Sequence, residues 1–526
     1  MYNKIWKNIM KTRDKVGAVV MLAAVFCSIL APIEPARAET VPEGYIAIAS
    51  PKDLANIAND TTADYYLTKD IDMKSYGEWQ PLKSFSGTLD GNNHSISNLT
   101  ITDSGSGEIG LFASIEGTSE EAVVSNLSMK KVVIKTKDAT EVGAIAGWVR
   151  NARIESCYVS GTIESTGESV NNLCVGGIAG SIGSNTVISE CVNTADVLGS
   201  FNKSSTDGSY RPITVYSQAR CYAGGIVGQL SHNLDAVEAT IKISECYNKG
   251  KIVANVVTSA NATAFYSQAK ATAEAYAYTG GICGGEMLAS QGNMTKINNS
   301  FNTGTVGSYA MATAKTAYIA YRDRYQISKM ESAVGGIAGY LSGAEIENVY
   351  SSGKVELNGN CGGIIGKMDS AVSLENCYFL SDKKKDINAI LGGAGNIEVG
   401  GWKALGSDGM KKESNYTDWD FKQTWVRNSA VNNGYPVLSF STPLFQLAKP
   451  TVSVKAGTYR KKIALKLQST AEGAVIYYTT DGTVPTAASK KYTKPISISK
   501  STTVKAIVVC GNFKNSPVTT AKYVVK

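Results

Sequence analysis

The sequence predicts an all-β protein: a right-handed parallel β-helix, that is a solenoid, followed by a small β-sandwich. Three observations carry this. A Gly-rich hexapeptide recurs six times, a second apolar motif follows each copy, and 51 Gly stand against 12 Pro. Repetition on this scale marks a solenoid, in which each unit buries its apolar side only by stacking on its neighbours. A Gly surplus without a Pro surplus suits many tight turns between short strands.

In chain order, the first element is a leader. Lys4, Lys7, Lys11, Arg13 and Lys15 precede an apolar run from Val16 to Ala31 and then Ala36-Arg37-Ala38. That is the pattern of a secretory signal peptide over residues 1–38, cleaved after Ala38, so a secreted or cell-surface-associated bacterial protein is expected. Cys27 follows Phe26, where a lipoprotein would carry a small residue. No later stretch approaches ~18 consecutive apolar residues, so no transmembrane segment is expected in the mature chain. Residues 1–38 hold six basic and two acidic side chains, and without them the formal charge of +7 falls to +3. That is too little charge, too evenly spread, to argue for a nucleic-acid partner.

Residues 39–84 read as a capping segment and 85–380 as the β-helix itself. Val142-Gly-Ala-Ile-Ala-Gly147 returns as Val175-Gly-Gly-Ile-Ala-Gly180, Ala223-Gly-Gly-Ile-Val-Gly228, Thr279-Gly-Gly-Ile-Cys-Gly284, Val334-Gly-Gly-Ile-Ala-Gly339 and Cys361-Gly-Gly-Ile-Ile-Gly366. The second motif runs Ile154-Glu-Ser-Cys157-Tyr158, Ile188-Ser-Glu-Cys191-Val192, Ile243-Ser-Glu-Cys246-Tyr247, Ile297-Asn-Asn-Ser300-Phe301, Ile346-Glu-Asn-Val349-Tyr350 and Leu374-Glu-Asn-Cys377-Tyr378. At ~25 to 30 residues per coil this span makes about ten coils, and at ~4.8 Å per coil a rod roughly 50 Å long.

These residues resemble the GLUG motif of secreted and surface-attached bacterial proteins, among them immunoglobulin A1 metalloproteases and large adhesin-like proteins. The flanks fit the same company. Asp53-Leu-Ala-Asn-Ile-Ala58 and Phe85-Ser-Gly-Thr-Leu-Asp90 look like a capping start, while Trp419-Asp-Phe421, Trp425 and Asn433-Gly-Tyr-Pro-Val-Leu438 look like a closing segment over residues 381–442. A solenoid needs such covers, because open ends expose apolar rungs and unpaired strand edges.

Three insertions interrupt the repeats, near 198–222, 255–278 and 307–333. The second reads Ala269-Lys-Ala271-Thr-Ala273-Glu-Ala275-Tyr-Ala277-Tyr278, a strict period of two that argues extended strands despite the Ala content. Insertions in a solenoid map to one face, often the binding face. The expectation is a side sheet carrying Tyr266, Tyr276, Tyr278, Tyr318, Tyr321 and Tyr325 as candidate partner contacts, since Tyr offers large area and a polar tip at low entropy cost. The plainer alternative is that these rings pack against one another.

Residues 449–526 form a separate domain. Tyr477-Tyr478-Thr-Thr-Asp481-Gly482-Thr483-Val-Pro485-Thr486 places an Asp-Gly turn between strand-like runs. The run is similar to the C-terminal domain of chitobiase and β-hexosaminidase type enzymes, which implies a fibronectin/immunoglobulin-like sandwich used as a non-catalytic accessory module.

Candidate chemistry is sparse. Cys157, Cys191, Cys246 and Cys377 share a repeat position with Ser300 and Val349, so they read as small buried side chains in reduced form. Stacked neighbours hold Cβ atoms slightly farther apart than a disulfide prefers. His94 and His232 lie in no metal-binding spacing, so no metal and no cofactor are expected, and metalloprotease activity does not carry over. The Gly-Gly-x-x-Gly copies lack the following Lys-Ser/Thr of a phosphate loop. A polysaccharide lyase or hydrolase would need paired carboxyls about 5 to 9 Å apart. Asp70, Asp72 and Asp90 near the cap, and Glu155, Glu190 and Glu245 on the repeats, are the residues available to it. Glu190 and Glu245 share their position with Asn299 and Asn348, which favours a structural use.

The expected function is therefore a secreted, non-catalytic adhesin-like or cell-surface scaffold, monomeric, that binds an extracellular glycan or surface protein, with no catalytic residues. A glycan-cleaving β-helix enzyme and a purely structural spacer are the alternatives.

Overall fold

The computed structural model describes residues 41–102, 105, 107–232, 239–264, 268–287, 294–318, 324–356, 359–368, 372–381 and 401–526. The expected leader and its expected cleavage position, Ala38, lie outside the described residues. The chain divides into Met1–Glu43 and Gly44–Lys526, and the fold is that of the second unit. No helix among the described residues is long and apolar enough to cross a membrane.

The rod is a parallel β-helix with four faces. One coil runs through Tyr158–Gly167, Asn172–Gly176, Ala179–Ile182 and Thr186–Ser189, and the chain then rejoins the first face at Val192–Asn193. Each segment pairs in parallel with the equivalent segment of the next coil. One face is a ten-stranded sheet that begins at Ile46–Ile48 within the capping segment, two faces have seven strands each, and the fourth is a fourteen-stranded sheet.

The hexapeptides make one corner by close approach. A Cβ on Gly224 would stand 1.8 Å from the Val227 carbonyl oxygen, and one on Gly225 would strike both the Gly281 carbonyl and the Asn248 side chain. Gly is required there for space, since neither residue has a positive φ.

The second motif makes the opposite corner by backbone conformation. Asn126, Ser156, Glu190, Glu245, Asn299, Asn348 and Asn376 all have φ between 46° and 54°. This left-handed region costs an ordinary residue about 1 kcal/mol and Asn less, which explains the drift toward Asn. The next residue points inward. The thiols of Cys157, Cys191, Cys246 and Cys377 lie 3.2 to 3.3 Å from the carbonyl two residues back, and the Ser300 hydroxyl donates to the Asn298 carbonyl at 2.9 Å in the same way. The position therefore selects a small side chain with a short donor. These four cysteines are buried and in no disulfide.

The residue after that points outward, and its rings stack into a ladder: Tyr247 on Phe301 at 4.3 Å and Phe301 on Tyr350 at 5.0 Å. The closing segment docks on this ladder. Trp419 and Trp425 stack on each other at 4.1 Å and lean on Tyr350, whose hydroxyl donates to the Pro436 carbonyl at 2.6 Å. Trp402–Leu405 meanwhile extends the fourteen-stranded sheet past Cys377–Leu380. The closing segment thus covers a lateral face as well as adding a strand beyond the last coil.

The C-terminal domain is a sandwich. A five-stranded sheet, Gly457–Tyr459, Thr519–Val525, Thr502–Val509, Val475–Thr479 and Lys490–Lys491, packs against the pairs Thr451–Val452 with Leu467–Gln468 and Ile463–Leu465 with Ile496–Ile498. Its core is continuous with that of the closing segment and the outer ring ladder.

Candidate functional site

The three insertions are long arches. The first goes out along Asp196–Ser209 and returns along Ile213–Gly224; the second uses Ile252–Ala264 and Ala269–Gly280; the third uses Val306–Tyr318 and Arg324–Gly335. From arch to arch, outgoing strands pair with outgoing strands, so that Asn261 lies between Thr206 and Lys315, and returning strands likewise place Glu274 between Gln218 and Lys329. The arches therefore form two facing sheets where the sequence suggested one side sheet. The cause is continuity: each leg prolongs a different face of the rod and keeps that face's register. Ala254, Ala260, Ala262 and Ala264 meet Ala269, Ala271, Ala273 and Ala275 between the sheets, each no more than 1% exposed. The alternation of Ala with polar residues is the packing of this thin interior.

Of the six candidate tyrosines, Tyr266 and Tyr321 lie outside the described residues, and Tyr318 ends the third outgoing strand. Tyr276 and Tyr278 are 5% and 6% exposed, whereas Tyr325 is 51% exposed. Tyr278 is stacked between Tyr222 at 5.2 Å and Tyr340 at 5.3 Å, and its hydroxyl donates to Glu331 at 2.7 Å. Burial, and then the Glu331 carboxylate, push that hydroxyl's pKa well up, so Tyr278 is a neutral donor. Tyr276 takes the Arg220 guanidinium at 4.9 Å and the Lys329 ammonium at 5.2 Å on its ring, and donates to Glu274 at 3.0 Å. These two rings are buried in the seam between the arches and the rod.

A cleft of about 500 Å³ opens where the rod meets the C-terminal domain. Tyr158, Thr194, Asp196 and Lys249 line it from the rod, and Phe445 and Lys514 from the other side. It lies at the uncovered end of the ring ladder: Phe445 stacks on Tyr247 at 5.7 Å, while Tyr158, the next tyrosine along, is half-buried and hydrogen-bonded to Thr194 at 2.9 Å. Asp196 accepts the Lys251 backbone N–H at 2.9 Å. Lys249 and Lys514 are exposed and make no ion pair among the described residues. Ring faces beside a few convergent charges make a lining that can hold a polar chain. This cleft unites positions separated by hundreds of residues, and only the recurrence of an aromatic after three of the four repeat cysteines hinted at one wall of it.

The acidic candidates are engaged in the fold. Asp70 accepts from the Ser95 N–H at 2.7 Å, Asp72 from the Asn98 amide at 2.7 Å, and Asp90 from the Asn92 N–H at 2.7 Å. Glu190 and Glu245 stand on adjacent left-handed corners, and burial, then the Glu190 charge, raise the Glu245 carboxyl. Glu155 sits near Arg153 at 3.9 Å. A pair not singled out from sequence is Glu108 with Glu141, register partners in neighbouring coils, where burial chiefly raises Glu141. No group of three or more His, Cys, Asp or Glu among the described residues could hold a metal ion.

Comparison with known proteins agrees with the resemblances read from the residues. Residues 454–520 match the chitobiase/beta-hexosaminidase C-terminal domain and residues 330–356 match the GLUG motif. The GLUG match starts on the third arch's returning strand, turns the Gly335-Gly336 corner and passes the left-handed Asn348 to Tyr350 and beyond. Over 175 residues the chain is 31% identical to halomucin of Haloquadratum walsbyi, a stretch covering 29% of this chain and 2% of halomucin. The chain therefore spans a very small part of that relative's length.

Proposed function

We propose that this chain is an extracellular, non-catalytic, adhesin-like scaffold that holds a glycan or protein partner at its surface, with the cleft between rod and C-terminal domain as the principal contact. The observation that carries this reading is the cleft's lining. Tyr158 and Phe445 supply ring surface, Lys249 and Lys514 supply unpaired positive charge, and Asp196 is the one carboxylate among the lining residues. Glycoside cleavage needs two carboxyls, so this lining suits retention of a sugar chain better than its hydrolysis. The similarities to the GLUG motif and to a hexosaminidase accessory domain support the same class. Tyr325, the exposed ring of the described candidates, is proposed as a contact on a second surface.

The test is retention of the chain without residues 1–38 on immobilised cell-wall, mucin and plant polysaccharides, with Tyr158→Ala and Lys249→Ala alongside. Retention weakened tenfold or more in both variants is expected; undiminished retention in both would move the contact away from the cleft. A glycan-cleaving enzyme is the second reading, and the stacked Glu108 and Glu141 are what favour it. Retaining glycosidases place their carboxyls only about 5 Å apart, close to the ~4.8 Å between coils.

A further inference from the structure

The third arch ends the stack with both of its strands open. Among the described residues, the outgoing strand Val306–Tyr318 is the terminal strand of its sheet, with a bridge to Val355 at its base alone, and the returning strand Arg324–Gly335 has a strand neighbour on its outer side only through Ala333–Gly335. Two strands among the described residues thus lack a neighbouring strand on the same side over most of their length, with the Ala314 N–H taken by the Ser328 hydroxyl at 2.9 Å. The same edge gathers exposed apolar side chains: Tyr309, Met311, Tyr325, Ile327 and Met330, each at least 44% exposed. Met330 occupies the register of Ala275, which is wholly buried between the sheets one layer below. The interior of the stack therefore runs out to solvent at this edge. At the opposite edge the outgoing strand carries the polar run Asn202 to Ser209, with Lys203 reaching across to the Val170 carbonyl at 3.0 Å, and exposed rings are confined to Tyr210 at the tip and Tyr216 on the returning strand.

We propose that the third arch is a self-association surface that pairs with the third arch of a second copy of this chain about a two-fold axis perpendicular to its sheets. This rests on the reading of Tyr325 as a contact residue, names its partner, and replaces the monomer that the sequence suggested. Two open strand edges, one in each facing sheet, are satisfied together only by a partner with two layers at the same spacing. A single extended peptide would pair one edge and leave the other open. A second copy offers both, and a two-fold axis sets outgoing strand against outgoing strand and returning against returning, antiparallel.

Head-to-tail stacking is blocked, because the rod continues past the third arch through Ile365–Met368, Val372–Glu375 and Cys377–Leu380 and would meet the neighbouring rod. The two-fold arrangement points the arches in opposite directions and keeps the rods apart. It also sets the Lys315 half of one edge along the base of the other, where Glu356, itself paired with Lys354 at 3.3 Å, stands beside Gly307. An edge roughly 30 Å long and two sheets thick buries about 600 Å² per copy, and about 1,200 Å² in all reaches the size of a specific interface.

Sedimentation of the chain without residues 1–38, from about 1 to 100 μM, tests this. A dimer is expected, converted to monomer by Met330→Lys with the thermal midpoint unchanged. Met294→Lys, at an exposed Met elsewhere on the rod, is expected to leave the dimer intact. A monomer at every concentration would overturn the proposal, as would a dimer indifferent to Met330→Lys or a species that keeps growing beyond two copies. None of these results touches the cleft, whose retention test uses different variants.

Discussion

Asn193 and Asn248 sit one coil apart in the wholly buried interior, and the Asn193 side-chain amide donates to the Asn248 side-chain oxygen at 2.9 Å. Asn248 hands the bond on to Asn302 at 2.8 Å, and each side chain also closes a turn two residues ahead, at Ala195, Gly250 and Gly304. The ladder lies under the Gly-Gly corner, where a Cβ on Gly177, Gly225 or Gly281 would collide with it. Corner and ladder are one packing unit.

Removing one rung should be costly. Asn248→Ala takes partners from Asn193 and from the Gly250 backbone in a site without water access, at about 1 to 3 kcal/mol for each stranded group. A loss of about 3 kcal/mol in urea unfolding is expected. A loss under about 0.5 kcal/mol would mean that the neighbouring rungs rearrange and that the ladder contributes little.

A second buried polar group predicts acid sensitivity. His232 and Glu286 have fully buried side chains 3.3 Å apart, and Glu286 also accepts from Thr295 at 2.7 Å and from the Ser342 and Gly343 N–H groups at 2.9 and 3.1 Å. Burial pushes the Glu286 carboxyl up, but these donors together outweigh it and hold it below its ordinary value of 4.5. A carboxyl depressed in the folded state adds stability above its unfolded pKa and loses it as pH falls through the folded value. Stability should therefore fall below about pH 4.5, and Glu286→Gln should flatten that part of the profile while lowering stability at pH 7. An unchanged acid limb in the variant would assign the sensitivity to other carboxylates.

The left-handed corners offer the reverse experiment. Glu245 occupies a position that Asn takes in four other coils, and burial with the Glu190 charge raises its carboxyl, so at neutral pH its ionised form costs stability. Glu245→Asn relieves both the backbone preference and the charge and should stabilise by about 1 kcal/mol. The gain should shrink as pH drops through the raised pKa, because the protonated Glu no longer repels Glu190. A variant less stable at pH 7 would show that the Glu245 side chain makes a favourable contact that outweighs its backbone strain.

How far the sequence reached follows from which features repeat. The hexapeptide marked the Gly corner because the collision it avoids recurs in every coil. The exchange of Glu190 and Glu245 for Asn299 and Asn348 already pointed to a structural use, and the positive φ supplies the reason. The Asn ladder was legible in Val192-Asn193, Tyr247-Asn248 and Phe301-Asn302, but it was masked by the more obvious Cys and aromatic positions beside it. The alternation in the arches gave strands, yet two facing sheets follow only from knowing which face of the rod each leg continues. The cleft was beyond reach, since it depends on where residues 443–445 and Lys514 land on a ladder begun at Tyr158.

The most direct test of the scaffold account is to incubate the chain without residues 1–38 with cell-wall, mucin and plant polysaccharides and to follow retention and new sugar ends in the same samples. Retention without new ends, weakened by Tyr158→Ala, is the expected result. New ends that vanish in Glu141→Gln would contradict it and make the chain an enzyme.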